Sequence, residues 1–169
     1  MDPLSASRTE LQRALDSGQR VESGSLAGHR YRGVSLGLPP WIERLSWKTF
    51  EKAFHRRGHR VVGWNVRLEQ TGLDGPVVPL MRRGAPLCFG FFEAVDAPDG
   101  LWLDYGRGGN PALDPTALVR DPLVALPDGR LLGRSLVQLG PWRVGTPSYF
   151  VLERIGAVEH VPERVRAGG

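Results

Sequence analysis

The sequence predicts a mainly β protein of α+β type. The architecture is an antiparallel up-and-down, lipocalin-like barrel or a strongly curved sheet, with one short N-terminal helix and one Trp-rich helix after the first strand. Three observations predict it. From residue 58 onward apolar residues alternate with a period of 2. The 22 glycines and 14 prolines imply many turns, which suits short strands better than a helical bundle. Gly33, Gly63, Gly90 and Gly133 each fall inside a predicted strand, where glycine weakens the strand unless the sheet must bend or a neighbour must come close. An open curved sheet with helices on its concave face is the second architecture the pattern allows.

At 169 residues the chain fits one domain, 1–169: a peripheral helix and loop over 1–27, a barrel core over 28–156, and a flexible tail over 157–169. Ser7-Arg8-Thr9-Glu10 has capping-box spacing, and Leu11, Ala14 and Leu15 form a short stripe that Gly18 ends. A first strand is expected near His29–Leu36. Pro39 and Pro40 then open a predicted helix over 39–57, with Gly58 as its stop. Its apolar residues spread over about two-thirds of the helical circumference, wider than a surface helix needs. That spread places the helix between two apolar surfaces, for example across a barrel mouth, or on one sheet with an exposed Trp.

Strands follow at RVVGWNVRLEQ, VVPLM (an edge or bulge because of Pro79), LCFGFFEAV and GLWLDYG. The last two are joined by the Ala97-Pro98-Asp99-Gly100 turn. Asp114-Pro115 starts a helix of a turn or two, which Pro122 limits. Pro127-Asp128-Gly129 signals a hairpin into RLLGRSLVQLG, and SYFVLERI is the last strand.

Composition narrows the classes. The hydrophobic share is 41% and the charged share 24%, ordinary for a soluble globular protein. The pI of 9.8 comes with a net charge of only +4, and lysine occurs only at Lys48 and Lys52, so a nucleic-acid partner is not expected. The one dense basic run, His55 to Arg60, complements the end of the predicted helix. Cys88 is the single cysteine, the N-terminus lacks a secretory apolar segment, and no window approaches a membrane span; a cytoplasmic protein is expected.

His55 and His59 are four apart, but Gly58 intervenes and no Glu follows the first His, so no metal is expected. No cofactor motif occurs either. Cys88 alternates into an apolar strand and reads as an inert thiol.

The candidate chemistry lies around GLWLDYG. Leu101, Leu103 and Tyr105 share one face and Trp102 and Asp104 the other. With the Leu face inward, Tyr105 offers a phenol to the interior. With Trp102 inward, Asp104 is buried and needs Arg120, Arg134 or Arg107 as a partner. Asp104 with these arginines makes either an internal salt-bridge network or, with Tyr105 and Arg134, a grip on a ligand's polar end. Asp121 is a second acid or base candidate, and Asn65 reads as a satisfied sheet residue or a ligand contact. Trp47, Phe50, Trp64, Asn65, Phe91, Trp102, Arg120 and Arg134 are the candidate ligand-binding residues; Asp104, Tyr105 and Asp121 are the candidate catalytic ones.

The ordered set Gly33, Trp47 with Phe50, Asn65, Leu103-Asp104-Tyr105, Asn110-Pro111, Arg120-Asp121 and Leu132-Gly133-Arg134 resembles a group of uncharacterised small bacterial proteins with LDY, NP, RD and LGR elements in that succession. The resemblance covers about residues 30 to 155 and implies a shared compact fold, with no activity attached to it. The expected function is binding of a small hydrophobic or lipid-like ligand in a barrel cavity. Alternatives are an isomerase- or cyclase-type enzyme with an Asp/Tyr acid–base pair, and a protein–protein interaction module docking through the wide helix face.

Overall fold

The computed structural model describes residues 2–37, 48–111 and 113–166. Helix α1 (Arg8–Ser17) begins with the predicted capping box: the Ser7 hydroxyl accepts from the Glu10 N–H, and the Glu10 carboxylate accepts from the Ser7 N–H at 2.8 Å. A two-residue strand β1 (Gln19–Arg20) and a helical turn α2 (Ser23–Leu26) follow. Then come β2 (His29–Leu36), β3 (Thr49–Arg57), β4 (Arg60–Arg67), the small ribbon β5 (Met81–Arg82) and β6 (Ala85–Pro86), and β7 (Cys88–Ala97). Strands β8 (Gly100–Asp104), β9 (Val119–Ala125), β10 (Leu131–Leu139) and β11 (Trp142–Ala157) precede a terminal turn α3 (Glu163–Arg166).

Eight of these strands form a closed antiparallel barrel. β2, β3, β4, β7, β8, β9, β10 and β11 pair in that order, and β11 returns to pair with β2. Every neighbour in the ring except the closing pair is also the next barrel strand in the chain, so the expected up-and-down barrel is the observed fold.

The glycines inside the strands explain how the barrel holds its aromatic residues. Gly33 faces Phe50 across β2–β3, Gly63 faces Phe92 across β4–β7, and Gly133 faces Phe150 across β10–β11. A Cβ at Gly33, Gly63 or Gly133 would lie 2.4, 2.3 or 2.2 Å from the facing ring, so each ring lies against bare backbone on the inner wall. Replacing Gly63 by Ala would also bring its Cβ to 2.5 Å from the Ala53 carbonyl oxygen, which cannot move aside as a side chain can. Gly63→Ala is therefore expected to lower stability by about 1–3 kcal/mol in urea unfolding. An unchanged midpoint would show that the ring does not press on the wall.

The helix expected over 39–57 is corrected where the structure describes it. Residues 49–57 are strand β3, while 38–47, Trp47 among them, lie outside the described residues. Gly58 is not a helix stop but the first residue of a two-residue hairpin loop, with φ +59°, the sign a type II′ turn requires there. The wide apolar arc has a different cause. Phe50, Lys52 and Phe54 point into the barrel, whereas Ala53 packs outside against Trp64 and Val165. A strand covered on both faces has no polar side.

The N-terminal helix covers the outside of the barrel, where Leu11 meets Val34, Leu132, Tyr149 and Val151. The last residues cover the other side: Val158, Val161 and Val165 pack over Trp64 and Val66, so the segment 158–166 is docked where a flexible tail was expected. Inside, Val21 and Leu26 close the end that carries the β3–β4, β7–β8 and β9–β10 turns, and Tyr31, Phe54, Phe92, Leu101, Leu123 and Leu152 fill that half. The opposite half is not filled.

Candidate functional site

A cavity of about 260 Å³ occupies the half of the barrel nearest the β4–β7 and β8–β9 connections. Its apolar walls are Phe50, Phe89, Val119 and Phe150, and Ser35, Ser135 and Ser148 contribute hydroxyls. At its floor sit Lys52, Asn65, Tyr105 and Asp121. A larger hollow of about 470 Å³ lies outside the barrel between α1 and the β9–β10 turn. Its ionisable residues, Glu10, Arg13 and Asp128, are exposed, so the barrel cavity is where the chemistry converges.

Strand parity builds the floor. Lys52 of β3 lies opposite Asn65 of β4, both pointing inward. Tyr105 follows β8 with the parity of Leu101 and Leu103, the inward alternative of the two sequence readings. Asp121 and Leu123 share the inward face of β9.

Lys52 Nζ donates to Asn65 Oδ1 at 2.8 Å and to the Tyr105 hydroxyl at 2.7 Å. The Tyr105 hydroxyl in turn donates to Asp121 Oδ2 at 3.1 Å. Asn65 is itself fixed, its amide donating to the Gly90 carbonyl at 3.0 Å. Gly90 has φ +53°, and a Cβ there would lie 2.8 Å from the Asn65 amide nitrogen. Lys52 is 1% exposed and Asp121 2%, so this is a buried relay of amine, phenol and carboxyl.

Four rings surround the amine. Nζ lies 4.8 Å from the centroid of Phe92, 5.1 Å from Phe150, 5.3 Å from Tyr105 and 5.6 Å from Phe50. Three of these four are the rings seated on glycines. The in-strand glycines thus do more than bend the sheet, because they shape the cage around Lys52.

Burial dominates the electrostatics. Loss of water pulls the Lys52 pKa down to about 8, although the Asp121 charge partly supports the cation. The same cause pushes Asp121 up to about 6, against the opposing effects of Lys52 and of the Tyr105 hydrogen bond. Tyr105 is raised well above the usual phenol value by burial and by Asp121. Asp121 Oδ1 is buried and, among the described residues, accepts no hydrogen bond, although the Ser135 hydroxyl lies close enough to lower the carboxyl pKa.

The other candidates from sequence lie elsewhere. Asp104 is outside the cavity: its Oδ1 pairs with Arg120 Nε at 2.9 Å and caps the turn at Tyr105–Arg107 through the Gly106 and Arg107 N–H groups. This is the salt-bridge network, not the ligand grip. Arg120 also donates to the Ala117 and Val119 carbonyls. Arg134 is on the outer wall beneath α1, donating to Gln12 Oε1 at 2.6 Å and stacking on Tyr149. Trp64 is buried against the C-terminal segment, Phe91 lies under Arg164, and Trp102 lies under Arg143 at 4.2 Å. All three are on the outer face, because their parity is opposite to that of Asn65, Phe92 and Leu103. Phe50, Asn65, Tyr105 and Asp121 are the candidates that the fold brings together.

Sequence reasoning missed Lys52. Within a helix it reads as a solvated charge, whereas the alternation Phe50-x-Lys52-x-Phe54, read as a strand, places it on an aromatic face. Cys88 is half-buried, and burial pushes its thiol up to about 11, which suits an unreactive side chain. Among the described residues no helix is long and apolar enough to cross a membrane, and no cluster of His, Cys, Asp or Glu could hold a metal. Comparison with family models, with curated proteins and with solved structures finds no match to this chain.

Proposed function

We propose that the barrel binds a small molecule with an apolar body and one polar head, the head seated on Lys52, Tyr105 and Asp121. One observation carries this reading: an aromatic-walled cavity ends on a buried polar floor that still has an unmatched acceptor, Asp121 Oδ1. An unpaired buried carboxylate oxygen is costly, and a ligand O–H or N–H would satisfy it. The expected ligand is therefore an amphiphile of modest size rather than a pure hydrocarbon.

The test is a thermal-shift panel of small amphiphiles matched to hydrocarbons of the same shape. A ligand present at 100 times its Kd raises stability by about 2.7 kcal/mol. The amphiphiles should shift the melting temperature and the hydrocarbons should not. Ser135→Phe, which fills the cavity from the β10 wall, should abolish the shift. An equal shift in that variant would place binding elsewhere.

A second reading has its own support. The Tyr105–Asp121 pair joins a phenol to a carboxyl of raised pKa, and such a pair can move a proton on a bound substrate. In this acid–base reading Asp121 is the proton acceptor, and Asp104 has no part. The interaction-module reading loses its basis over 49–57, since the docking helix face is there a barrel strand.

A further inference from the structure

We propose that Lys52 is a reactive amine that forms an imine with a carbonyl group of the bound molecule, Asp121 carrying the protons. The inference rests on the ligand-binding reading above and names the ligand class as an aldehyde or ketone with an apolar body.

Of the 22 Lys and Arg residues only Lys48 and Lys52 are lysines, so the chain carries nearly all its positive charge on guanidinium groups. Guanidinium stays protonated and is no nucleophile, whereas a primary amine can lose a proton and attack carbon. Among the described residues, the one basic residue lining the cavity is the amine.

The valence of Nζ leaves room for a carbonyl carbon. Its two partners, Asn65 Oδ1 and the Tyr105 hydroxyl, are neutral acceptors, and among the described residues no carboxylate pairs with it directly. A neutral amine has two N–H bonds and one lone pair. Both hydrogen bonds therefore survive deprotonation, and the lone pair remains for a carbonyl carbon. A lysine kept only for structure would pair with Asp121 directly; here the carboxyl stands one hydroxyl away.

Asp121 is placed to carry protons. Its Oδ2 is held by Tyr105, Oδ1 accepts no hydrogen bond among the described residues, and Asp121 lines the cavity. Burial also brings both groups toward neutrality near pH 7, with Lys52 near 8 and Asp121 near 6.

The reaction balances without an external oxidant or reductant. The Nζ–C bond forms as the carbonyl π pair moves to oxygen, and one proton passes from nitrogen to that oxygen. In the dehydration the nitrogen pair closes C=N, the C–O bond breaks, and the second nitrogen proton leaves with the hydroxyl as water. Each step moves one proton from nitrogen to oxygen, and Asp121 Oδ1 accepts and returns it. One amine and one carbonyl give one imine and one water.

The test uses the full chain with benzaldehyde as the probe, sodium borohydride to reduce the imine, and peptide mass mapping. Benzyl alcohol, with the same ring and no carbonyl, reports binding alone by thermal shift. The expected result is a benzyl group on Lys52, with Lys48 and the amino terminus at background. With benzaldehyde saturating each protein, Asp121→Asn should label about tenfold more slowly than wild type. Lys52→Met should remove the label. Labelling confined to Lys48 or the amino terminus, or equal labelling in Asp121→Asn, overturns the proposal. If benzyl alcohol shifts the melting temperature and Lys52 stays unlabelled, the imine inference falls and the binding reading stands. If neither probe binds, both fall.

Discussion

A chain carrying Lys52→Met together with Asp121→Asn is expected to be more stable than the wild type at pH 7, by about 1–4 kcal/mol, while losing the polar floor of its cavity. Both groups are fully desolvated, and their pKa values move toward neutrality, to about 8 and about 6. A shift in that direction means that folding opposes the charged form of each. Their mutual attraction does not offset burial, since desolvation leads the causes for both. Removing one pKa unit of such a shift is worth about 1.4 kcal/mol.

The pH dependence has a definite sign. Asp121 is raised above its unfolded value, so its contribution is fully present below about pH 4 and is lost as the pH rises through about 6. Lys52 is depressed, so its contribution is present above about 10.5 and is lost as the pH falls through about 8. The advantage of the double variant should therefore be widest between about pH 6 and 8, narrowing toward pH 4, where only the Lys52 cost remains, and toward pH 10.5, where only the Asp121 cost remains. Urea unfolding across this range measures it. A variant that is less stable at pH 7 than at pH 4, relative to wild type, would show that the pair stabilises the barrel. Retaining a costly pair at the floor of a cavity is what a functional site requires and a structural core does not.

Tyr105→Phe is expected to act in the opposite sense, lowering stability at pH 7 by about 2–4 kcal/mol. Only one oxygen is removed, so no sizeable void forms. That oxygen, however, both accepts from Lys52 and donates to Asp121. Without it Lys52 keeps Asn65 alone, and the Asp121 carboxyl loses the Tyr105 hydrogen bond and is left with the Ser135 hydroxyl nearby. The Tyr105 hydrogen bond holds the Asp121 pKa down, so its loss moves that pKa further up from about 6. The loss should accordingly be larger at pH 7.5, where Asp121 must ionise, than at pH 4.5, where it stays protonated. Equal losses at the two pH values would mean that the phenol does not support the carboxylate.

Placing Tyr105, Asp121, Phe50 and Asn65 at one floor and Lys52 among them depends on register as well as on sequence. Parity alone gave two options for GLWLDYG, and only the β8–β9 pairing, with Leu103 opposite Asp121, shows which face looks inward. Trp64 and Trp102 illustrate the limit. Both alternate with apolar neighbours as lining residues would, yet both are covered from outside, by the C-terminal segment and by Arg143 respectively. Burial from sequence says that a residue is covered, not by what.

By itself the sequence determined a strongly curved antiparallel set of strands, as a barrel or an open sheet: period-2 strands, the turn residues and the in-strand glycines are local signals that agree with one another, and the β11–β2 pairing decided closure. It also determined the N-terminal cap, since a capping box is complete within four residues. Only the tertiary structure decided that Thr49–Arg57 is a strand, because its apolar residues on both faces satisfy two periods equally and the choice rests on partners far away in the chain. The same decision turned Lys52 from a solvated charge into a caged amine. Its neighbours Asn65, Tyr105 and Asp121 lie 13, 53 and 69 positions away, and a barrel unites them by closure rather than by anything written in one segment.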